Sequence, residues 1–552
     1  MTTETKPDKA SASQLFTRCL ENEGVEYIFG IPGEENLAFM DVLEESSIRF
    51  ITTRHEQGAA FMADVYGRLT GRAGVCLSTL GPGATNLLTP VADANMDHAP
   101  LVAIAGQAAT DRLHKESHQV LDLQTLFTPV TKYSSQLLTP NIIPEVVRKA
   151  FKNAQMEKSG ACFIEFPENI ASMPVDDKPL KIFPHHTPEP AQESIKHAAE
   201  LITDARLPII LAGNGVVRAG AWQQLSQFSK ELNIPVANTF MAKGIIPFKH
   251  PNALGTVGLQ TADYVNVGFS NADVIICIGY DLVEYHPHLW HPTRDRTIIH
   301  IDVTSAEVDN CYIPTANVIG DIKHSLLRII DLTTAHQGEP MRPLRHALIE
   351  EMNQHSEDLN FPVKPQKIIW DLRTAMCLND IVICDVGAHK LWMARMFRCE
   401  QPNTCIISNG FASMGIAVPG AIAAKMVHPD RAIVAVTGDA GFLMNSQEIE
   451  TALRLKQAIV ILIWNDGAYG LIEWKQLNSY GRSNNVHFNN PDFVTYAESF
   501  GAKGYRINQT KDLLPTLKMA LADNTVSIID CPVDYRENLK LTEKLGEMVC
   551  QI

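Results

Sequence analysis

The chain has 552 residues, of which 45% are hydrophobic and 20% are charged, as in ordinary globular proteins. At about 100–200 residues per domain, this length predicts roughly three domains. The net charge of −15 argues against nucleic acid as a partner, because nucleic-acid binding needs a basic surface. No apolar run approaches the roughly 18 residues that would span a membrane.

The start of the chain and the cysteines indicate the compartment. The opening MTTETKPDKASAS is polar, which predicts a disordered tail and not a signal peptide. The eleven cysteines are scattered, none forms a Cys-x-x-Cys pair, and several, such as Cys277 and Cys384, lie in apolar runs. This usage predicts buried free thiols in a reducing cytoplasm and argues against a zinc site.

Short apolar runs rich in β-branched residues alternate with helical patterns along the chain. Examples are GVCLST, ACFIEF, PIILAG, VIICIG, IVICDVG, AIVAVTGD and AIVILIWND. Such strands, separated by helices, are typical of parallel sheets covered on both faces, so we predict an α/β fold with doubly wound parallel sheets. Two stretches rich in proline and charge, 173–192 and 336–366, predict linkers. They divide the chain into predicted domains at 1–185, 186–340 and 365–552.

One glutamate in the first range is out of keeping with its surroundings. In TRHEQGAAFMADVYGR, Glu56 shares a helical stripe with Ala59, Ala60 and Ala63. Small apolar residues on one stripe indicate a face that packs closely, where a carboxylate loses its hydration and needs a partner. The sequence therefore raises the question of what Glu56 faces.

Two glycine-rich turns follow strand patterns further along. STLGPGATN, residues 78–86, lacks the Gly-Lys-Ser/Thr of a P-loop and the spacing of Gly-x-Gly-x-x-Gly, so it is weak evidence for a ligand loop. LAGNGVVRAG, residues 211–220, loosely suggests a dinucleotide fingerprint. Its glycine spacing departs from that fingerprint, which favours a structural role.

The C-terminal range carries two strand-end aspartates. RAIVAVTGDAGFLMNSQEIETALRL predicts a strand, a tight turn and a helix, with Asp439 at the carboxyl end of the strand, and the next strand pattern ends in Asn465 and Asp466. If the two strands are neighbours, both aspartates emerge at the edge where open α/β sheets bind ligands. Two carboxylates beside a helix N-terminus suit Mg²⁺ and a phosphate. The alternative is that both are turn residues and helix caps.

Together these motifs resemble those of the thiamine diphosphate-dependent enzymes, in the same order and over nearly the whole chain. The metal-diphosphate motif of that family, Gly-Asp-Gly followed later by Asn-Asn or Asn-Asp, stands here as GDAG and WND, with Ala440 in place of the last glycine. The resemblance implies thiamine diphosphate and Mg²⁺ as cofactors, with Asp439, Asp466 and the backbone carbonyl of Ala468 as metal ligands. It also implies that the three domains are pyrimidine-binding, central and diphosphate-binding.

The resemblance further implies where the cofactor binds. Glu56 stands where the family carries the glutamate that contacts the pyrimidine ring, and GPGATN fits a loop beside that ring. NGFASMG fits the loop whose bulky residue, here Met414, holds the cofactor bent, and DVGAHKLW fits a loop near the diphosphate. The residues implied to bind the cofactor are Pro32, Gly33, Glu56, Asn86, Gly387, Ala388, His389, Ser413, Met414, Gly438, Asp439, Ala440, Gly441, Ala468 and Tyr469.

Within the family, the chain resembles the catabolic, flavin-independent acetolactate synthases. HQVLDLQTLFTPVTKY resembles the segment with their active-site pair, here His118 and Gln119, and the stretch after ICIG lacks the flavin-site pattern of biosynthetic members, which argues against flavin adenine dinucleotide. His118 and Gln119 would position substrate or bind developing oxyanions, the alternative being a polar surface turn. Lys475 stands where catabolic members carry a glutamine. It either pairs with the carboxylate of the acceptor or is only solvated.

The implied reaction decarboxylates pyruvate and joins the remaining two-carbon unit to a second 2-keto acid. With pyruvate as acceptor the product is 2-acetolactate, an intermediate of branched-chain amino acid or acetoin metabolism. The alternatives are a pyruvate oxidase or decarboxylase of the same family, and a carboligase with another acceptor. A catalytically silent paralogue is disfavoured because Glu56, Asp439 and Asp466 are intact. Since the family pairs the first domain of one subunit with the third of another, the implied assembly is a homodimer or homotetramer with active sites at the interface.

Overall fold

The computed structural model describes residues 10–184, 186–258, 264–338 and 341–542. Residues 1–9 of the predicted tail lie outside this part. For residues 10–13 the tail prediction is wrong, because Ser11 caps a helix that begins at Ala12. The hydroxyl of Ser11 accepts the N–H of Gln14 at 3.2 Å, and the side-chain oxygen of Gln14 accepts the N–H of Ser11 at 2.9 Å. This reciprocal pair satisfies two N–H groups at the helix start.

The strands are short and follow one another in eighteen segments within the described residues. They are β1 Tyr27–Gly30, β2 Arg49–Thr52, β3 Gly74–Ser78, β4 Leu101–Gln107, β5 Tyr133–Gln136, β6 Ala161–Pro167, β7 Pro208–Ala212, β8 Val236–Asn238, β9 Ala253–Thr256, β10 Val274–Ile278, β11 Thr297–Asp302, β12 Ala316–Ile319, β13 Ile381–Cys384, β14 Cys405–Ile407, β15 Ile433–Gly438, β16 Val460–Asn465, β17 Lys503–Arg506 and β18 Ser527–Pro532.

The α-helices lie between these strands. They are α1 Ala12–Asn22, α2 Leu37–Glu44, α3 Glu56–Thr70, α4 Pro82–Met96, α5 Leu123–Phe127, α6 Ile143–Gln155, α7 Glu168–Ala171, α8 Gln192–Asp204, α9 Gly215–Arg218, α10 Trp222–Leu232, α11 Tyr264–Asn271, α12 Ile322–Ile330, α13 Arg342–Gln354, α14 Pro365–Ala375, α15 Ala388–Met396, α16 Ala417–Val427, α17 Asp439–Asn445, α18 Glu448–Arg454, α19 Gly470–Tyr480, α20 Phe493–Phe500 and α21 Leu513–Ala522. None of the described helices combines the length and hydropathy needed to cross a membrane.

The strands form three six-stranded parallel sheets. Their orders are β2-β1-β3-β4-β6-β5, β12-β11-β10-β7-β8-β9 and β14-β13-β15-β16-β18-β17. Most of the strands are buried along most of their length, as expected where helices cover both faces of a sheet. The predicted α/β fold with three doubly wound parallel sheets is confirmed. Each sheet lies inside one of the three predicted domain ranges, and the domain bounds themselves stay a prediction.

The chain forms two compact units. The first contains residues 1–185, 418–428 and 445–455, and the second contains residues 186–417, 429–444 and 456–552. The first sheet and its apolar core belong to the first unit, and the other two sheets belong to the second. A short segment that follows β15 in sequence, including α18, is thus part of the first unit.

The second predicted linker contains a helix. Residues 342–354 form α13, which buries Leu344, Leu348 and Met352 along one face. A Cβ on Gly255 would come within 3.1 Å of Leu348 Cδ2, so the helix packs on the edge strand β9. The proline and charges that indicated a linker stand at the start and on the outer face of this helix.

Candidate active site

Glu56 opens the helix that follows β2. His55 caps α3 by accepting the N–H of Gln57 on Nδ1 at 3.0 Å. The Glu56 side chain is buried, and its Oε2 accepts a hydrogen bond from Nδ2 of Asn86 at 2.9 Å. Within the first unit, the partner of this carboxylate is therefore an amide on α4.

The alanine stripe of α3 packs as closely as its sequence predicts. Ala59, Ala60 and Ala63 are fully buried. A Cβ on Gly74, the first residue of β3, would lie 2.0 Å from the carbonyl oxygen of Ala63, so helix and strand approach each other as only a glycine allows. The helix is thus held firmly on its own sheet.

The GPGATN turn lies beside Glu56. A Cβ on Gly83 would come within 3.3 Å of Oε1 of Glu56. Gly81 has a φ of +49°, and a Cβ there would come within 2.5 Å of the carbonyl oxygen of Gln119. The turn therefore adjoins both the Glu56 carboxylate and the loop that carries the predicted His118–Gln119 pair.

That loop connects β4 to α5 and is attached at both ends. The buried carboxylate of Glu165, on β6, accepts hydrogen bonds from Nε2 of Gln107 at 2.8 Å and of Gln124 at 2.7 Å. Between these ends, His118 and Gln119 are exposed, and Gln119 adopts a left-handed φ of +58°. The predicted pair is thus presented to solvent by a braced loop.

Predicted residues Pro32 and Gly33 lie at the same edge of the first sheet, in the turn after β1. A Cβ on Gly33 would lie 2.3 Å from Cβ of Thr79, which follows β3. The hydroxyl of Thr79 donates to Oε2 of Glu35 at 2.6 Å. Pro32 itself is exposed.

In the second unit, Asp439 and Asp466 follow the neighbouring parallel strands β15 and β16, in which Gly438 lies opposite Trp464. The prediction that both aspartates share one edge of a sheet is therefore confirmed. Oδ1 of Asp439 accepts the N–H of Ala440 at 2.8 Å, and its Oδ2 accepts the N–H of Gly467 at 2.8 Å.

The two carboxylates disfavour each other's ionisation. Burial raises the pKa of Asp439. The pKa of Asp466 is raised to about 8, first by burial and then by the nearby Asp439 carboxylate. A divalent cation between them would remove both the desolvation and the repulsion, so this pair suits a hard metal ion.

The rest of the coordination shell would not come from acidic, histidine or cysteine side chains. In the described ranges, no group of three or more such side chains is arranged as a metal site. A cation here would take two carboxylates, and would fill its shell with backbone carbonyl oxygens, water and ligand phosphates. Mg²⁺ commonly binds in this way.

His389 gives the sheet edge that carries Asp439 a neutral polar group. It lies in the first turn of α15, after β13, and a Cβ on Gly387 would meet its ring at 2.7 Å. Burial lowers the pKa of His389 to about 3, so the imidazole is uncharged. Its Nε2 is buried without a hydrogen-bond partner in the described part of the chain. An orphaned buried nitrogen fits a site that a ligand completes. Ala388, beside it, is also buried.

The loop with predicted residues Ser413 and Met414 is ordered by Asp385. This buried carboxylate accepts the N–H of Gly415 at 2.8 Å and that of Ala417 at 3.2 Å. Gly415 has a φ of +95°, and Met414, just before it, is half-buried. A Cβ on Gly441, a residue implied to bind the cofactor, would also come within 3.1 Å of Oδ1 of Asp385.

The turn after β16 carries the remaining predicted residues. Ala468 is buried, and Tyr469 donates its N–H to the carbonyl of Val486 at 2.9 Å while its side chain is exposed. Lys475, on α19, is exposed and makes no ion pair or side-chain hydrogen bond with any residue that the structure describes. The position of Lys475 permits contact with a mobile anion and leaves the solvated alternative open.

Sequence reasoning missed three polar residues. Asn490 donates from Nδ2 to Oδ2 of Asp439 at 2.7 Å and to Oδ1 of Asn465 at 3.0 Å. Asp385 orders the Met414 loop, and Glu448 binds the chain just before Glu56. Asp385 ends an apolar strand pattern as Asp439 does, so the same signal could have identified it. No local pattern marks Asn490, which lies in a region without helix or strand.

Residues 211–220, in the second sheet, carry the glycine pattern that loosely suggests a dinucleotide fingerprint. A glutamate of the same chain accepts a backbone N–H of this loop. The carboxylate of Glu284 accepts the N–H of Asn214 with both oxygens at 3.0 Å, and it also accepts the hydroxyl of Thr239. Glu284 is buried, and its pKa is raised to about 7, chiefly by that burial. This favours the structural role expected for the loop.

Comparison with known proteins agrees with this architecture. Residues 10–126 match the N-terminal TPP binding domain of thiamine pyrophosphate enzymes, residues 195–329 match their central domain, and residues 385–531 match their C-terminal TPP binding domain. The chain belongs to the thiamine diphosphate-dependent enzymes, so it is an enzyme whose cofactor is thiamine diphosphate.

Its similarity to individual members extends over the full length. Acetolactate synthase of Bacillus subtilis is 37% identical, covering 100% of this chain and 99% of that protein. A probable acetolactate synthase large subunit of Methanocaldococcus jannaschii is 35% identical, over 97% and 94%. The catabolic acetolactate synthase of Raoultella terrigena is 34% identical, over 97% of both chains. The predicted family is therefore confirmed.

Proposed function

We propose that this protein is an acetolactate-forming carboligase. Two pyruvate anions and one proton would give one 2-acetolactate anion and one carbon dioxide. The observation that carries this proposal is the full-length similarity to proteins named acetolactate synthase, one of them catabolic. Bound thiamine diphosphate would supply the carbon nucleophile and take up the charge left by carbon dioxide, and the chain would supply orientation and electrostatics.

We assign the proton-handling role to Glu56. Its carboxyl group is buried, held by Asn86 and adjoined by the GPGATN turn, so it has one fixed orientation. A carboxyl group fixed in this way can hold or release a proton at a ring nitrogen of the pyrimidine, which is a general acid–base role. Since Glu56 is held before any ligand arrives, its orientation costs nothing at the moment of reaction.

We assign metal binding to Asp439, Asp466 and the carbonyl oxygen of Ala468. Asp439 is buried and Asp466 half-buried at one sheet edge, and the raised pKa of Asp466 reflects the electrostatic cost that Mg²⁺ would remove. His389 is neutral and has an orphaned Nε2 at the same edge, which suits contact with the diphosphate. Gly387, Ala388, Gly438, Ala440, Gly441 and Tyr469 complete the proposed diphosphate site, and Pro32, Gly33, Asn86, Ser413 and Met414 complete the proposed site for the rest of the cofactor.

We assign substrate contacts to His118, Gln119 and Lys475. The first two are exposed on a loop that adjoins the turn beside Glu56. Lys475 has no ion-pair partner among the described residues, and it could pair with the carboxylate of the acceptor keto acid. We further propose that no flavin binds the central sheet. In the loop that loosely resembles a dinucleotide fingerprint, the backbone N–H of Asn214 already donates to the carboxylate of Glu284. The absorbance spectrum of the purified protein tests this, since bound flavin colours a protein yellow.

We propose a homodimer or homotetramer in the cytoplasm. Helix α19 exposes Ile472, Leu477 and Tyr480, an apolar set that suits a subunit contact. The ten cysteines that the structure describes are all free thiols, as in a reducing compartment. Light scattering of the purified enzyme would measure the assembly directly.

Product analysis tests the proposed reaction. The enzyme is incubated with pyruvate, Mg²⁺ and thiamine diphosphate, and the products are identified by proton NMR. Acetolactate as the main product supports the carboligase. Acetaldehyde would indicate a decarboxylase, and acetyl phosphate or acetate with reduction of an electron acceptor would indicate an oxidase. Mixtures of pyruvate with a second 2-keto acid identify the preferred acceptor.

A further inference from the structure

Glu448 is a buried carboxyl group in the first unit to which no role in the reaction has been given. It is the first residue of α18 and has no exposed surface. Its Oε1 accepts the backbone N–H of Arg54 at 3.0 Å and that of His55 at 3.1 Å. Its Oε2 accepts the hydroxyl of Thr451 at 2.6 Å. One carboxylate thus binds two consecutive amides of a distant segment.

Those two amides immediately precede Glu56. They lie between the end of β2 and the start of α3, where neither strand nor helix supplies an acceptor for them. His55 is itself the cap of α3, so its backbone sets the direction in which the helix starts. Glu448 therefore holds the two residues that set the start of α3 and, with it, the position of Glu56.

The helix is shaped to receive this carboxylate. A Cβ on Gly58 would lie 2.6 Å from Oε1 of Glu448. Because Gly58 has no side chain, the first turn of α3 leaves a space that the carboxylate of Glu448 fills. Burial of a carboxylate is costly, and it raises the pKa of Glu448 to about 7. The carboxyl group of Glu448 is thus buried at an energetic cost, against a helix start where only a glycine leaves room for it. This combination indicates that the contact does more than fill space.

We propose that Glu448 is a positioning residue for Glu56, which acts by fixing the first turn of α3. This inference rests on the proposed function of Glu56. Asn86 holds the Glu56 side chain from one direction, and Glu448 holds the backbone just before it from another. Without Glu448, two buried amides lose their acceptor, and the turn that carries Glu56 can shift or open.

The test compares Glu448→Ala, Glu448→Gln and Glu448→Asp with Glu450→Gln in the full-length protein. Glutamine retains one oxygen that can accept both amides, whereas aspartate keeps the charge but is one methylene too short. Glu450 is two residues along the same helix, is partly exposed and pairs with Arg454. Glu450 itself makes no hydrogen bond to the segment before Glu56, whereas its partner Arg454 donates to the carbonyl oxygen of Thr52. Because a glutamine at position 450 can still accept a hydrogen bond from Arg454, Glu450→Gln controls for the loss of a carboxyl group on α18 with the Thr52 contact retained.

Two measurements report on the mechanism. Hydrogen–deuterium exchange of the peptide covering residues 52–58, without cofactor, should accelerate at least tenfold in the alanine and aspartate variants. Exchange of the thiazolium C2 proton of bound thiamine diphosphate, followed by NMR, should slow at least tenfold in the same variants. Both quantities should stay near the parent values in Glu448→Gln and Glu450→Gln. If the alanine variant does not fold, the aspartate and glutamine variants carry the same comparison.

A double variant separates positioning from general damage. In the Glu56→Gln background, Glu448→Asp should slow C2 exchange no further, since a positioning residue has nothing left to position. Additive slowing, or C2 exchange at the parent rate in both Glu448→Asp and Glu448→Ala, overturns the proposal. If Glu56→Gln alone leaves C2 exchange unchanged, the role of Glu56 itself is wrong, which is a different outcome from failure of Glu448.

Discussion

Asn86 donates a hydrogen bond of 2.9 Å to Oε2 of Glu56, and this contact joins the second turn of α4 to the first residue of α3. It answers the question raised by the alanine stripe, because it gives the buried carboxylate a partner. The second carboxylate oxygen borders Gly83 in the turn that opens α4. Glu56 is thus bounded by α4 on two sides within the first unit.

Replacing Glu56 with glutamine should separate cofactor binding from cofactor activation. The amide has nearly the same shape and can still accept a hydrogen bond from Asn86, so affinity for Mg²⁺ and thiamine diphosphate should change less than about fivefold. C2 proton exchange should slow by about 10²–10⁴-fold, the range of general acid–base contributions. Calorimetry measures the first quantity and NMR the second. Unchanged C2 exchange would contradict the assignment.

Replacing Asp439 with alanine should weaken cofactor binding. The change removes one proposed metal ligand and the acceptor for the Gly467 amide and Asn490. We expect the dissociation constant for Mg²⁺ and thiamine diphosphate, measured by calorimetry, to rise by at least tenfold. Asn490→Ala should have a smaller effect in the same direction. Asp430→Ala is the matched control, because Asp430 is exposed and precedes the same strand. Equal affinity in Asp439→Ala and the control would mean that the metal site is misplaced.

The strand-end residues could be predicted because a local rule places them. A buried parallel strand followed by a polar residue puts that residue at one edge of its sheet, whatever the rest of the chain does. For Asp439 and Asp466, that rule and the assumption that their strands are neighbours were enough to predict a shared sheet edge. The structure confirms that the two strands are neighbours.

Contacts between distant segments could not be predicted in this way. Glu448 stands 394 positions from Arg54, and nothing in QEIETALRL shows that α18 belongs to the same compact unit as the first sheet. In the sequence Glu448 has the pattern of an ordinary acidic residue near a helix start. The start of α1 shows the converse error, since the capping pair Ser11 and Gln14 was present in a stretch that looked only polar.

Exchanging Lys475 for glutamine tests whether its charge selects the acceptor. The side chain is exposed and unpaired within the described residues, so the change should leave the midpoint of thermal unfolding within about 1 °C. If Lys475 binds the carboxylate of the acceptor, the KM for the second keto acid rises and the ratio of products from competing keto acids shifts. The control is Lys518→Gln, because Lys518 is also exposed but lies on a different helix, α21. Identical product ratios in the parent and Lys475→Gln would leave the lysine merely solvated.

Stability should fall between about pH 4.5 and pH 7 because of Glu284. Its pKa in the folded state is raised to about 7, chiefly by burial, from a usual value of 4.5. In that window the unfolded chain has lost the proton while the folded chain keeps it, so rising pH favours unfolding by up to about 3 kcal/mol. Below the window both states are protonated, and above it neither is. Thermal unfolding of the cofactor-free protein at several pH values measures the effect. Glu284→Gln should flatten this part of the profile relative to the parent, and an unaltered profile would contradict the prediction.

Glu165 should stabilise the loop that carries His118 and Gln119. Its carboxylate accepts hydrogen bonds from the side-chain amides of Gln107 and Gln124, which lie at the two ends of that loop. Glu165→Ala removes the acceptor that these two side-chain amides share and leaves Gln107 only the carbonyl oxygen of Leu121, which should cost about 1–3 kcal/mol of unfolding free energy. It should also raise the KM for pyruvate more than it lowers kcat, because the loop would present its exposed residues less firmly. Glu165→Gln keeps an accepting oxygen and should restore part of both quantities. A fall in stability with KM unchanged would show that the loop takes no part in substrate binding.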